Sequence, residues 1–269
     1  MDPLRLPELR EHAAALRAAR RYGIEITCQP ASETRLGIGR SRLGGRPDLP
    51  TDYAWPSAKR SKGGRDVALP LAFVGQVALE DVVVHDRERL LPTEGVLSFF
   101  ILDEVRVSRE VGWDDGEHAA TDRTRVLFFP VAARLRRRDP PVGLPESARM
   151  PVVKPAFRCV STWPQCEGNV IGEPEQRAGA RGSLALGAEA WRCWAEHAPP
   201  NPPNLLLGHA TGCEYPVGRE PDARLLLSLE ARSTGLPWGL FGRNGHLFVR
   251  IPQRSLEKRE WGDATHKEW

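Results

Sequence analysis

Cysteine is scarce in this chain: Cys28, Cys159, Cys166, Cys193 and Cys213 are the only five in 269 residues. Their number is odd and their spacing wide, which points away from a disulfide framework, and no close cysteine pair forms a zinc knuckle. The N-terminus has no apolar leader, and together these features lead to the expectation of reduced thiols in a cytoplasmic protein. No apolar run approaches the roughly 20 residues that span a bilayer, so membrane residence is not expected. Nor does either sign of charge dominate. Lys and Arg number 38 against 35 Asp and Glu, and the signs are interspersed, whereas a nucleic-acid binder gathers its cations into a stripe. The one dense run, Arg134, Arg136, Arg137 and Arg138, reads as the solvated end of a strand or a loop, with a phosphate-contacting patch as the alternative, and nucleic acid is not an expected partner.

What is present is an ordinary globular composition, 41% hydrophobic and 27% charged, in a length that suits one large domain or two tightly packed halves. Leu9, Ala13, Leu16 and Ala19 recur at spacings of three and four, predicting a helix over 7–22 with Gly23 as its stop. Ile24, Ile26 and Cys28 alternate with polar residues, as do Leu36 and Ile38, which predicts one or two half-buried strands. Residues 41–50 are turn chemistry, an ordered loop closed by Trp55-Pro56, and 57–66 is expected to be a mobile tip. Apolar strands are predicted at 69–79, 95–102 and 125–129, the second entered through the turn at Gly95.

Between Asp139 and Asn204 proline is frequent and only a helix near 188–195 is visible, so 139–204 reads as a Pro-rich insertion. Beyond it, strands are expected at 224–230 and at 245–251, the latter entered through Asn244-Gly245, followed by a short helix near 252–259. An apolar strand followed by a turn-glycine strand therefore occurs twice, suggesting pseudo-repeated halves, 24–138 and 205–261, within a single domain 1–269.

Residues 41–50 with Trp55-Pro56, then Pro70 to Val77, then Leu91 to Phe100, together resemble the YwqG-like family of bacterial proteins. Leu205 to His209, Arg224 to Leu227 and Trp238 to Phe248 resemble its closing blocks. The resemblance implies an α+β fold of mixed, mostly antiparallel sheets with a few helices, in a cytoplasmic protein of unknown function. It carries over no catalytic residue. Two departures stand out: residues 210–216 replace a family loop that holds an Asp-Pro pair and a glutamine, and the polar tail 262–269 replaces an aliphatic last strand.

Candidate chemistry is sparse. His209 with Cys213 and Cys193 with His197 offer loose pairs of soft ligands, but no metal or other cofactor is expected. Cys213, His209 and Glu214 are the only compact nucleophile–base–acid set, and neighbours on a strand point apart. Gly44 and Gly45, flanked by Arg42 and Arg46, invite an anion-nest reading yet match neither nucleotide-binding fingerprint. The expected ligand-binding residues are Arg42, Gly44, Gly45, Trp55, Gln76, His209, Trp238 and His246, converging on a cleft between the halves with Trp55 and Trp238 facing it. The function expected is that of a non-catalytic cytosolic binding protein, of an immunity or regulatory type, with a protein partner or small-molecule ligand. The alternative is an enzyme acting on a small molecule or peptide in that cleft.

Overall fold

The computed structural model describes residues 2–62, 65–103, 123–164, 186, 188–211, 223–236, 241 and 245–268. In chain order the strands are β1 (Arg21–Pro30), β2 (Arg42–Leu43), β3 (Asp48–Pro50), β4 (Ser57–Lys62), β5 (Arg65–Pro70), β6 (Ala72–Ala78) and β7 (Val96–Ile101). They continue with β8 (Thr124–Phe129), β9 (Leu135–Arg137), β10 (Val153–Thr162), β11 (Leu205–Leu207), β12 (Ala223–Glu230), β13 (His246–Pro252) and β14 (Thr265–Glu268). The helices are α1 (Ala13–Ala19), α2 (Ala188–His197), α3 (Ala231–Thr234) and α4 (Gln253–Lys258). The fold is α+β, with a main sheet that is antiparallel throughout.

Ten strands form that sheet in the order β14-β13-β12-β11-β1-β10-β2-β6-β7-β8. Its axis is the long β1–β10 pair, in register from Arg21 opposite Thr162 to Pro30 opposite Val153. Reading outward from this pair, each side presents a short strand (β2 or β11), a strand bulged against its neighbour (β6 at Phe73/Gly75, β12 at Leu225/Leu227), a further strand and an outer strand. The outer strands meet, for Thr124 Oγ1 of β8 lies 2.8 Å from His266 Nδ1 of β14. The sheet thus curls into a barrel-like wrap.

Period-two alternation fills the interior. Ile24 and Ile26 of β1 join Val74, Val77, Leu97, Phe99, Val126, Leu226, Leu229, Leu247 and Val249 in one buried cluster. Outside it, α1 and α2 bury Leu9, Leu16 and Trp194 together. On the other half, Leu49, Leu71, Phe73 and Phe100 form a cluster with Trp55 at its margin.

Several expectations fail locally, each for a physical reason. The N-terminal helix is shorter than its apolar spacing suggests, ending at Ala19 where Arg20 turns extended (φ −60, ψ 137). Gly23 is no helix stop but lies inside β1, where the carbonyl of Leu207 and the Thr162 side chain would crowd any Cβ. Residues 36–38 are not a strand, because the carbonyls of Leu36 and Gly37 are taken by arginine side chains. The expected tip at 57–66 is a two-stranded ribbon, β4 paired with β5. Residues 153–162, inside the stretch read as an insertion, form β10 beside β1. The polar tail supplies β14, paired with β13. Residues 113–122, whose acidic and glycine-rich sequence reads as a loop, lie outside the described residues.

Candidate functional site

The first group of expected site residues does come together, as a closed lock. Arg42 on β2 is fully buried, as are Asp48 and Gln76. Asp48 Oδ2 accepts from Gly39 N (2.8 Å), Arg42 Nη2 (3.1 Å) and Gln76 Nε2 (2.8 Å), and Oδ1 accepts from Arg137 Nε (2.7 Å). Gln76 Oε1 in turn accepts from Asp48 N at 2.9 Å. Glu33 adds the second carboxylate, pairing with both Arg42 and Arg137. Two guanidinium groups therefore face two carboxylates, and the charge is balanced.

The glycine loop is closed to an external anion. Gly44 N donates to Val74 O and Gly45 N to Met150 O, both at 2.8 Å, and Arg46 N donates to Glu33 Oε1 at 2.7 Å. All three successive N–H groups of the would-be nest are used. The glycines serve close approach: both have positive φ, and a Cβ on Gly44 would overlap Pro151 O while one on Gly45 would overlap Glu33 Oε1. Arg42, Gly44, Gly45 and Gln76 thus hold the fold and present nothing to a ligand. Trp55 is anchored too, its Nε1 donating to Leu71 O at 2.9 Å and its ring edge-on to Phe100.

The other expected residues do not join that lock. His246 lies on β13, stacked on Phe248 and 3.7 Å from Glu230 Oε1. Trp238 lies outside the described residues. His209 is buried, with Nε2 at 2.8 Å from Ala19 O and its N–H donating to Thr162 Oγ1 at 2.9 Å. Burial, aided by the nearby Arg21 cation, lowers its pKa to about 3. At neutral pH the ring is uncharged and donates Nε2–H to a backbone carbonyl, a structural hydrogen bond that occupies the nitrogen.

Beside His209 the sheet has a notch. β11 is three residues long and covers β1 only from Gly23 to Glu25. It ends at Leu207 and Gly208, both at positive φ. Arg21 and Tyr22 of β1 therefore extend past it, as do Ala223 and Arg224 of β12. Glu88 bridges the opening: Oε1 accepts from Tyr22 N and Oε2 from Arg224 Nη2, each at 2.8 Å. Arg250, on β13 opposite Leu225, lies close enough to act on Arg21. The exposed guanidinium groups of Arg20 (5.2 Å) and Arg87 (5.0 Å) both lie against the Tyr22 ring.

Of the groups that act on Arg21, Arg224 and Arg250 are cations and Glu88 is a carboxylate. Half-buried, the Arg21 guanidinium forms no hydrogen bond or ion pair with any described residue. Burial and then the neighbouring Arg224, with Arg250 in the same sense and Glu88 opposing, bring its pKa down to about 10. It stays protonated at neutral pH, a partly desolvated fork of donors without an acceptor among the described residues.

The family described as a domain of unknown function, DUF1963, matches residues 41–266. The chain belongs to the DUF1963 family. No curated protein matches it. The matched span of this DUF1963 chain contains most of the lock and, from the notch, Glu88, His209, Arg224 and Arg250; Arg21 and Tyr22 precede it.

The Cys193 thiol is a poor nucleophile in this DUF1963 protein. Cys193 on α2 borders a cavity of about 340 Å³ lined by Leu6, Glu8, Glu189, Arg192, Glu196 and His197. Its sulfur is 4.0 Å from both Glu8 Oε2 and His197 Nδ1, while His197 Nδ1 is 2.9 Å from the Cys193 carbonyl oxygen of its own helix. Burial and the surrounding glutamates raise the thiol pKa, the opposite of what a nucleophile needs. Cys213 lies outside the described residues. Among the described residues no three His, Cys, Asp or Glu side chains are placed to hold a metal ion.

Sequence reasoning missed Arg21, Tyr22, Glu88 and Arg250 because each is unremarkable in its own segment. One signal was available: the alternation of Ile24, Ile26 and Cys28 extends back to Tyr22 and would have put Arg21 on a strand instead of a helix.

Proposed function

We propose that this DUF1963 member is a non-catalytic binding protein of the bacterial cytoplasm, YwqG-like within its family and immunity-type or regulatory in role. It engages a protein partner or small-molecule ligand at the notch where β11 ends. The observation that carries this reading is the half-buried Arg21 fork without an acceptor, beside Arg224 and Arg250. Such a surface attracts and orients a ligand, and among the described residues it brings neither a nucleophile nor an acid–base pair.

The wider assignments have separate support. The YwqG-like and bacterial assignments rest on the block resemblance between residues 41 and 248. Cytoplasmic placement rests on the sparse, scattered cysteines, and no described helix is long and apolar enough to cross a membrane. The matching outward strand order on either side of β1–β10 favours descent from a duplicated half.

The test is in-cell cross-linking of the full tagged chain, wild type against Arg21→Gln, with Arg35→Gln as a surface-charge control. Mass spectrometry then reads captured proteins and small molecules. The expected result is a species retained by wild type and the control, lost in Arg21→Gln, and unchanged on prolonged incubation with the protein. Chemical conversion of the captured species would overturn the reading in favour of an enzyme.

A further inference from the structure

Resting on that reading, we infer that the notch receives a single oxyanion group of its ligand, a carboxylate or a phosphate, on the guanidinium of Arg21. The site already shows how it treats an oxyanion. Glu88 spreads its two oxygens over the Tyr22 N–H and Arg224 Nη2, tying the ends of β1 and β12 together across the gap. That carboxylate is committed to those two donors, and Arg21, one residue from Tyr22, is left with a full set of its own.

An incoming oxyanion supplies what the site lacks in three respects. It gives Arg21 acceptors at a position already partly removed from water, where a charged hydrogen bond is worth more than in bulk. It offsets the mutual repulsion of Arg21, Arg224 and Arg250. It also suits the planar fork, which grips two oxygens of one carboxylate or phosphate at once, so charge alone is not sufficient.

The contrast with the other half supports the assignment. At the corresponding end of β2 the arginines Arg42 and Arg137 are matched by Asp48 and Glu33 from the same chain. There the protein supplies its own oxyanions and closes the gap. At the end of β11 the second internal carboxylate is not among the groups that act on Arg21. Exposed Arg20 and Arg87, held against the Tyr22 ring, extend the positive field outward and draw an anion in.

The test uses the full chain with inorganic phosphate and with acetate as separate probes, at constant ionic strength made up with chloride. Thermal unfolding is followed in wild type, Arg21→Gln, Arg21→Lys and Arg35→Gln. At a probe concentration about ten times its dissociation constant, wild type and Arg35→Gln are expected to gain about 3 °C. Arg21→Gln is expected to gain nothing, and Arg21→Lys, which keeps the charge but loses the fork, to bind about tenfold more weakly. A phosphate response without an acetate response assigns the site to phosphate groups, and the reverse assigns it to carboxylates; either supports the inference. Equal gains in wild type and Arg21→Gln would overturn it, as would no gain with either probe. If the probes fail while a captured species is still lost on Arg21→Gln substitution, the binding role stands and the oxyanion is wrong.

Discussion

Asp48→Asn is the substitution that most severely tests the account of the lock. The Asp48 carboxylate is fully buried and accepts from Gly39 N, Arg42 Nη2, Gln76 Nε2 and Arg137 Nε. An amide of the same shape turns one acceptor oxygen into a donor that faces other donors, and it leaves the fully buried Arg42 paired only with Glu33 at 3.4 Å. Breaking a buried ion pair from one side costs about 3–5 kcal/mol, and the misdirected amide adds to that. A loss of roughly 4 kcal/mol, or roughly 10 °C in Tm for a chain of this size, is therefore expected. Urea denaturation followed by both tryptophan fluorescence and far-UV circular dichroism measures it. The comparison is Asp139→Ala, which removes the exposed partner of Arg46 and is expected to cost less than about 1 kcal/mol. If Asp48→Asn lost under about 1 kcal/mol, the lock would not be what holds the Gly44 loop.

Two further outcomes follow from the same geometry. His209 has a folded pKa of about 3 against an ordinary value of 6.5, so between those values the unfolded chain binds more protons than the folded one. Stability then falls as pH drops through that window, by about 1.4 kcal/mol per pH unit from this group. Wild type should lose roughly 2 kcal/mol more than His209→Asn between pH 7.5 and pH 5, measured by urea melts at both, and parallel losses would contradict the burial of a neutral ring. Gly44→Ala forces a Cβ into positive φ and against Pro151 O, and is expected to cost at least about 2 kcal/mol. A neutral result in the same melts would mean that the β2–β10 contact is looser than described.

Much of the fold was legible because it is written in local pattern. The Gly95 turn before the buried apolar run Val-Leu-Ser-Phe-Phe-Ile marks β7, and Asn244-Gly245 before His-Leu-Phe-Val-Arg-Ile marks β13; turn chemistry and apolar pattern agree in both. β10 was not legible, because Pro155 within Val153–Thr162 argues against a central strand. The structure accommodates it because β2 covers β10 only at Val153, leaving one edge of the strand open from there on. β14 was hidden for a different reason. Its residues, Thr-His-Lys-Glu, carry no apolar signal, and it forms by pairing with β13 at the sheet's edge.

The sites divide along the same line. Arg42, Gly44, Gly45 and Gln76 were recognisable as special, and they do converge, but sequence could not reveal that Asp48 and Glu33 take up Arg42, that Asp48 pairs with Gln76, or that Val74 and Met150 carbonyls take the glycine N–H groups. Arg137 lay in what read as a solvated basic run, and only contacts across some hundred residues bury it. The notch was invisible from sequence because it consists of something missing, the continuation of β11. A short strand leaves no mark on the residues that border the resulting gap.

Ligands are expected to meet this DUF1963 protein at Arg21 and not at the Gly44 loop. Titration of the isotopically labelled full chain with phosphate or acetate, followed by nuclear magnetic resonance of backbone amides and arginine Nε–Hε groups, tests it most directly. Saturable shifts centred on Arg21, Tyr22, Arg224 and Arg250, with Gly44 to Arg46 unmoved, are the expected result. Shifts centred on Gly44 to Arg46 with the Arg21 signals unmoved would contradict it.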